Sequence, residues 1–397
     1  VTIRVIQDEG RWWLQDVEGH PFVSIGINHL QSDCWLAPYN RHVMLERYGP
    51  DLADEQDNFN AEGKALPQLV DATLTRLELM GFNSLGLHTY DVPSGLYADR
   101  MFYCRAIEVF PLGSRFKFDE QRFPDIFSQD FETQLDDRIA SMAAEHGDHD
   151  RFIGYAFSDI PRWYFYGNNG RGNHRVHPWV KDLFAQPEES AGYQAAFSAL
   201  GHRNPATEED SDTVMEAMIR WWYDLHVRLI RKHDPGRLIL GDKLHSPHLI
   251  PDWFLEILKE YVDVVLIQWY TPVETQQETL TYIHRTTGKP ILNGDSCFGC
   301  AKPPKQTKVK GFPVDSQAEV GAHYAAYLDG IMDLPFMLGW HHCGMMEQWD
   351  GGKRHDWEIN ENGFMNPFEE LYDEIAGPMK AANERAQARH ALSERVG

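Results

Sequence analysis

The sequence predicts an α/β fold, a (β/α)8 TIM barrel. Three observations carry this. Eight short β-rich runs recur along the chain, helix-period stretches separate most of them, and no nucleotide-binding glycine motif follows the first run. The runs are "PFVSIGINHL" (21–30), "GFNSLGLHTY" (81–90), "CRAIEVFPLG" (104–113), "FIGYAFSD" (152–159), "RLILGDKLH" (237–245), "VDVVLIQWY" (262–270), "KPILNGDS" (289–296) and "PFMLGWHHCG" (335–344). Apolar residues at 3.6-residue spacing predict helices over 66–80, 130–146, 214–233, 252–261, 274–287 and 316–332. Strand–helix alternation of this kind builds a parallel sheet, and eight units close it.

Outside the repeat, "RWWLQDVEGHPFVS" (11–24) reads as a hairpin around Glu18-Gly19. The expected organisation is one catalytic barrel over 1–397, with an N-terminal hairpin extension over 1–20 and a helical tail over 367–397. Long loops follow strands one (31–64), four (164–213) and seven (297–315), on the side where barrel enzymes assemble their sites. The fourth-strand loop "YGNNGRGNHRVH" is expected to form a lid or cleft wall.

Composition narrows the function. A net charge of −23 argues against general binding to nucleic acid or anionic membranes. No apolar run is long enough for a membrane span. The chain starts at Val1, which leaves the location open between the cytoplasm and, after removal of a leader, the periplasm or exterior. Five cysteines are too few for a disulfide scaffold, and the single pair Cys297-x-x-Cys300 is a weak metal motif. No cofactor or metal is expected. Twelve Trp, 16 Tyr and 21 Phe suit sugar stacking as well as a large core.

The strand ends supply the candidate site. They carry Asn28 and His29; His88 and Asp91; Glu108; Ser158 and Asp159; Lys243 and His245. They continue with Gln268, Trp269 and Tyr270; Asn293 and Asp295; Trp340, His341 and His342, with Glu347 beyond. Carboxylates converging among aromatics and amides suit glycosidic bond cleavage, which needs an acid for the leaving oxygen and a second carboxylate. Each residue also has a plain structural role open to it. Asp159 fits a cap, Asp295 an Asx turn, and Glu108 a barrel-layer carboxylate paired with a cation.

These segments together resemble a clan A glycoside hydrolase, closest to the family 50 β-agarases. "IGYAFSDIPRW", "KPILNGDS" and "GWHHCGMMEQWDG…NENGFMN" (340–366) resemble its fourth, seventh and eighth strand segments; "FVSIGIN", "GFNSLGLH" and "QWY" resemble its first, second and sixth. The resemblance implies a fourth strand ending in Asn-Glu, the Glu being the acid/base. Here that pair is Ile160-Pro161, and Asp159 stands just before it. The seventh-strand nucleophile, normally Glu, is Asp295, and Tyr270 matches the tyrosine that steadies it.

The expected catalytic residues are therefore Asp295, Asp159 and Glu347, in that order. Expected carbohydrate contacts are Asn28, His29, His88, Lys243, His245, Trp163, Trp269, Tyr270, Trp340, His341, Arg171 and Lys302. Shortening Glu to Asp retracts the carboxylate by about 1.5 Å and is expected to widen the pair towards the ~6.5–9.5 Å of an inverting enzyme. The lysines of "CAKPPKQTKVKG" (300–311), with Arg171 and Arg175, suggest a subsite for an anionic galactan of agar or carrageenan type. Two other readings stand beside the hydrolase. One is a carbohydrate-binding barrel that has lost its acid. The other is a lyase or metal-dependent enzyme using His29, His88, His245 and His341, for which no His-Glu-x-x-His motif is present.

Overall fold

The computed structural model describes residues 2–54, 58–89, 91–109, 125–159, 163, 175–352 and 362–393. At the N-terminus β1 (Arg4–Asp8), β2 (Arg11–Gln15) and β3 (Pro21–Phe22) form an antiparallel sheet. The barrel follows as β4 (Ser24–Ile27), β5 (Ser84–Leu85), β6 (Phe102–Ala106), β7 (Phe152–Asp159), β8 (Leu238–His245), β9 (Val265–Gln268) and β10 (Ile291–Ser296). The short β11 (Phe298–Gly299) and β12 (Phe312–Pro313) pair in the seventh-strand loop, and β13 (Met337–His342) is the eighth barrel strand. Barrel order is β10-β13-β4-β5-β6-β7-β8-β9, closed on itself.

All eight barrel strands overlap their expected runs; β7 fills its run and the others are shorter. β6 begins two residues early, at Phe102, because its ladder to β7 starts at Tyr103. The six expected helices lie at Leu66–Leu79, Gln129–His146, Glu208–His233, Asp252–Tyr261, Val273–Thr287 and Gln317–Met332. Glu208–His233 starts six residues before its apolar period does. Thr207 and Asp210 close a capping box there, and the acidic first turn and basic last turn suit the helix dipole.

The N-terminal hairpin has one strand more than expected. Glu9 (φ 46°) and Gly10 (φ 80°) turn β1 into β2, a primed-type turn without the Asn-Gly or Asp-Gly signature that sequence reading looks for. Ile3, just before β1, and Leu14 of β2 are buried in one cluster with Leu87, Ile153, Leu240, Leu266 and Leu338, which joins this sheet to the barrel. A far larger apolar cluster fills the layer between strands and helices. Helix Asp373–Ser393 packs on Gln317–Met332 through an Asn383–Tyr324 hydrogen bond of 2.7 Å and an Arg385–Asp329 ion pair. No helix among the described residues is long and apolar enough to cross a membrane.

Inside the barrel, polar residues follow strand alternation. His341 of β13 lies against Gly26 of β4 and meets Ser24 Oγ at 2.8 Å. A methyl group on Gly26 would sit 2.4 Å from the imidazole. Gly26→Ala is therefore expected to destabilise the fold by about 1–3 kcal/mol, read as a lower denaturant midpoint with an unchanged slope.

Candidate active site

Lys243 is the centre of the site. It ends the run "LILGDK" of β8, where alternation sends Asp242 outward and Lys243 into the barrel mouth, with no exposed surface. A buried ammonium has three donors to satisfy. Lys243 Nζ lies 2.7 Å from Asp159 Oδ1, 2.9 Å from Asp295 Oδ2 and 2.7 Å from His88 Nε2. Asp159 is the direct ladder partner of Lys243 on β7, and Asp295 comes from β10. His88 follows β5 and is also 3.4 Å from Asp159 and 3.2 Å from Asp295.

Neighbouring amides hold this cluster. Asn28 donates to the Gly294 carbonyl at 2.9 Å and approaches Asp295 Oδ1 at 3.4 Å, while accepting from the His88 amide at 3.3 Å. Its amide lies over Gly86, where a Cβ would stand 2.1 Å from Asn28 Oδ1. Glu108, at φ 51° beyond β6, accepts the Asp159 amide proton at 2.9 Å. It therefore steadies the backbone of Asp159. His29 stacks on His88 with centroids 4.6 Å apart.

The charges follow from burial and contact. Burial alone would raise the Asp295 carboxyl, but Lys243, Lys310 and His88 outweigh it and hold the group well below the usual carboxylate range. Burial likewise works against the Lys243 ammonium, and Asp159 and Asp295 more than restore it. For His88, burial and then Lys243 push the pKa down to about 4, so the ring is neutral and accepts the Lys243 proton. Tyr270 is pushed well above its ordinary value, by burial first and Asp295 second, and keeps its proton. Its hydroxyl accepts from Gln268 at 3.1 Å, and the His245 ring is tilted against it.

Several expected contacts lie elsewhere. Trp163 is buried against Trp179 and Trp222, with its indole N–H on Asp242 Oδ2 at 3.2 Å. Trp269 is buried and stacks on His248. Trp340 packs on Tyr324 and Tyr327 and donates to Ser296 Oγ at 2.8 Å. These three tryptophans are core residues and offer no sugar platform: alternation along β13 turns Trp340 away from the barrel interior, and Trp163 and Trp269 are buried beyond the ends of β7 and β9. His342 packs beside Trp340, Asn293 is bonded to Tyr327 and Ser296, and Ser158 donates to Asp242. His341 is in the barrel interior with Ser24, its pKa pushed down to about 3 by burial. Asp91 accepts from Ser32 at 2.6 Å in the loops after strands one and two.

Glu347 belongs to a separate network. It accepts from Lys302 at 2.7 Å, from the Trp349 indole at 2.8 Å and from the Tyr372 hydroxyl. Lys302 is thereby committed to Glu347 and to the face of Tyr372. Arg171, Ile160, Pro161 and residues 164–174 of the fourth-strand loop lie outside the described residues.

The Glu-to-Asp shortening does not open a water-wide gap. Two oxygens held 2.7 and 2.9 Å from one nitrogen are closer to each other than the ~6.5 Å at which the inverting range begins. The expectation of a widened pair fails because one ammonium lies between Asp159 and Asp295 and holds an oxygen of each. Sequence reading named Lys243 as a substrate contact and missed its role as counter-ion. The available signal was a lysine at the end of the apolar run "LILG", which when buried demands carboxylate partners.

Two outcomes are expected. Lys243→Met leaves two buried carboxylates uncompensated and should cost about 3–5 kcal/mol in chemical denaturation. Stability should also fall between about pH 6.5 and 4. His88 (to about 4), His226 (to about 3) and His341 (to about 3) are held neutral mainly by burial, while the unfolded chain takes up protons near 6.5. The unfolded state therefore binds more protons in that window, and acidification favours it. Asp242 acts oppositely, because burial raises it to about 6 and the fold keeps its proton. Three histidines outweigh one aspartate, so a melting temperature that holds or rises from about pH 7 to about pH 4.5 would contradict this balance.

No protein-family model matches the sequence, and no curated protein matches it. Solved structures do. An agarase, AgWH50C, superimposes with a TM-score of 0.76 at 18% identity, over 97% of this chain and 63% of that one. An exo-β-agarase gives 0.75 at 16% identity, over 97% of this chain and 65% of the other. More distantly, a GH2 β-galacturonidase from Eisenbergiella tayi bound to galacturonate gives 0.53 at 13% identity, over 96% of this chain and 54% of that one. The chain thus spans less than two thirds of the length of either agarase. At these identities the likeness concerns the fold, and in fold this chain is similar to the family 50 agarases.

Proposed function

We propose that the chain is a glycoside hydrolase acting on a galactan-type poly- or oligosaccharide. The observation that carries the reading is the convergence of Asp159 and Asp295, from barrel strands four and seven, on one point at the barrel mouth. The agarase-like fold and the protonated Tyr270 near Asp295 support it. In this reading Asp295, held ionised, attacks the anomeric carbon, and Asp159 protonates the leaving oxygen. The close pair favours a double displacement with retention. Lys243 must release Asp159, which must then take up a proton from solvent before it can protonate the leaving oxygen, while the grip of Lys243 on Asp295 keeps the nucleophile charged. An anionic sugar substituent would be met by Lys310, whose charge already acts on Asp295 and whose ammonium lies 5.8 Å from the Tyr270 ring centre. Lys302 is spent on Glu347.

One observation favours a second reading, a carbohydrate-binding barrel without catalysis. Both carboxylates are closed into ion pairs with the same ammonium, which leaves the acid role contested. The two readings separate on a panel of agar, porphyran and carrageenan oligosaccharides and plain β-galactosides. Hydrolysis predicts reducing-end release that falls about a thousandfold in Asp295→Asn, and a β anomer as the first product by NMR. Oligosaccharide binding without product from any member of the panel would establish the second reading instead.

A further inference from the structure

Three buried side chains beside the Lys243 cluster have no part in the proposed hydrolysis as a group. His29, Asp295 and Cys343 bring an imidazole nitrogen, a carboxylate oxygen and a thiol sulfur within 4.8 Å of one another, and all three residues are buried. They come from the ends of β4, β10 and β13, which are consecutive neighbours in the barrel, so the topology itself delivers them to one point. Each is held. The Cys343 amide donates to the Ser296 carbonyl at 2.9 Å, and the His29 amide to the His88 carbonyl at 2.8 Å. His29 takes φ 64°, a left-handed conformation that is uncommon for a residue with a side chain and that strand pairing must support. Asp295 is oriented through Oδ2 by Lys243, leaving Oδ1 towards Asn28 at 3.4 Å.

We propose that His29, Asp295 and Cys343 form a binding site for a zinc-class transition-metal ion. The donor set decides the class. Thiolate and imidazole select zinc over magnesium or calcium, and three protein ligands leave a fourth position open. Ligands about 2.0–2.3 Å from a tetrahedral ion lie roughly 3.3–3.8 Å apart, so the observed grouping closes by small side-chain rotations. Charge agrees as well. Asp159, Asp295 and Lys243 together carry one net negative charge, and loss of the Cys343 thiol proton to solvent on binding supplies a second. An ion here would draw on the oxygen of Asp295 that does not face Lys243. On the hydrolase reading it would occupy the nucleophile, so zinc is expected to inhibit turnover. The site itself does not depend on that reading.

The test uses the whole chain, stripped with chelator and titrated with Co2+ and then Zn2+. One equivalent of Co2+ should bind with a near-ultraviolet sulfur-to-cobalt absorption band, and Zn2+ should displace it. Cys343→Ser should abolish the band, and His29→Gln should weaken Co2+ binding at least tenfold, with both variants checked for folding by circular dichroism. If Cys343→Ser fails to fold, His29→Gln and a Zn2+-dependent rise in the wild-type melting temperature carry the decision. The exposed trio Asp16, Glu18 and His20 offers no sulfur and cannot produce the band. Wild type that binds Co2+ without the band, or a band unchanged in both variants, overturns the proposal. Because uptake is read without substrate, a chain that binds zinc and hydrolyses nothing even when metal-free would sink the hydrolase reading and leave this one standing.

Discussion

The site depends on one constraint, the burial of the Lys243 ammonium. An unpaired charge in that position would be prohibitively costly, so three acceptors must reach it from three other strand ends. Asp159, Asp295 and His88 do so, and the surrounding groups are arranged to keep them there. Asn28 spans from Gly294 to the His88 amide, and Glu108 holds the Asp159 backbone. Asp159 and Asp295 are charged because Lys243 is charged, and Lys243 is charged because they are. The neutrality of His88 is part of the same arrangement, since a protonated ring would face an ammonium at 2.7 Å.

The constraint reaches the core through strand alternation. Asp242, one residue before Lys243, points to the opposite face, where it receives Ser158 and Trp163. Ser158 is in turn one residue before Asp159. The two adjacent strands β7 and β8 are thus tied on their outer faces by Ser158–Asp242 and on their inner faces by Asp159–Lys243. Burial of Trp163 against Trp179 and Trp222 anchors the start of the fourth-strand loop to the helix layer.

Much of the fold was legible in the sequence, because period is a local property. Eight β-rich runs and six helical stretches sit where hydrophobic spacing placed them, and the strand ends named Asp159, Lys243, His88, Asn28 and Asp295 as one group. Which face each residue takes was harder to read. Trp340 adjoins the inward-facing His341 on β13 but packs on Tyr324, and a one-residue phase decides between the two fates. Irregular ladders add to the difficulty. β10 shifts register between Asn293 and Asp295, so simple alternation along "LNGDS" does not give the facing of Asp295. Pairings between distant loops, such as Glu347 with Lys302 and Tyr372, leave no local trace at all.

The two departures from the agarase-like pattern make most sense as one change. Asp295 is shorter than the glutamate the resemblance implies, and Asp159 stands two positions before the residue it implies as acid, so neither carboxylate fills the space between strands four and seven. Lys243 occupies what they leave, bonded to both. A glutamate at position 295 would extend about 1.5 Å further and meet the ammonium, so the shorter acid and the buried lysine require each other. The same compensation limits chemistry at the site, since a carboxylate bonded to an ammonium resists protonation. Any proton donor role for Asp159 therefore depends on movement of Lys243, and the rigidity of the cluster that holds Lys243 becomes the quantity that decides between catalysis and binding.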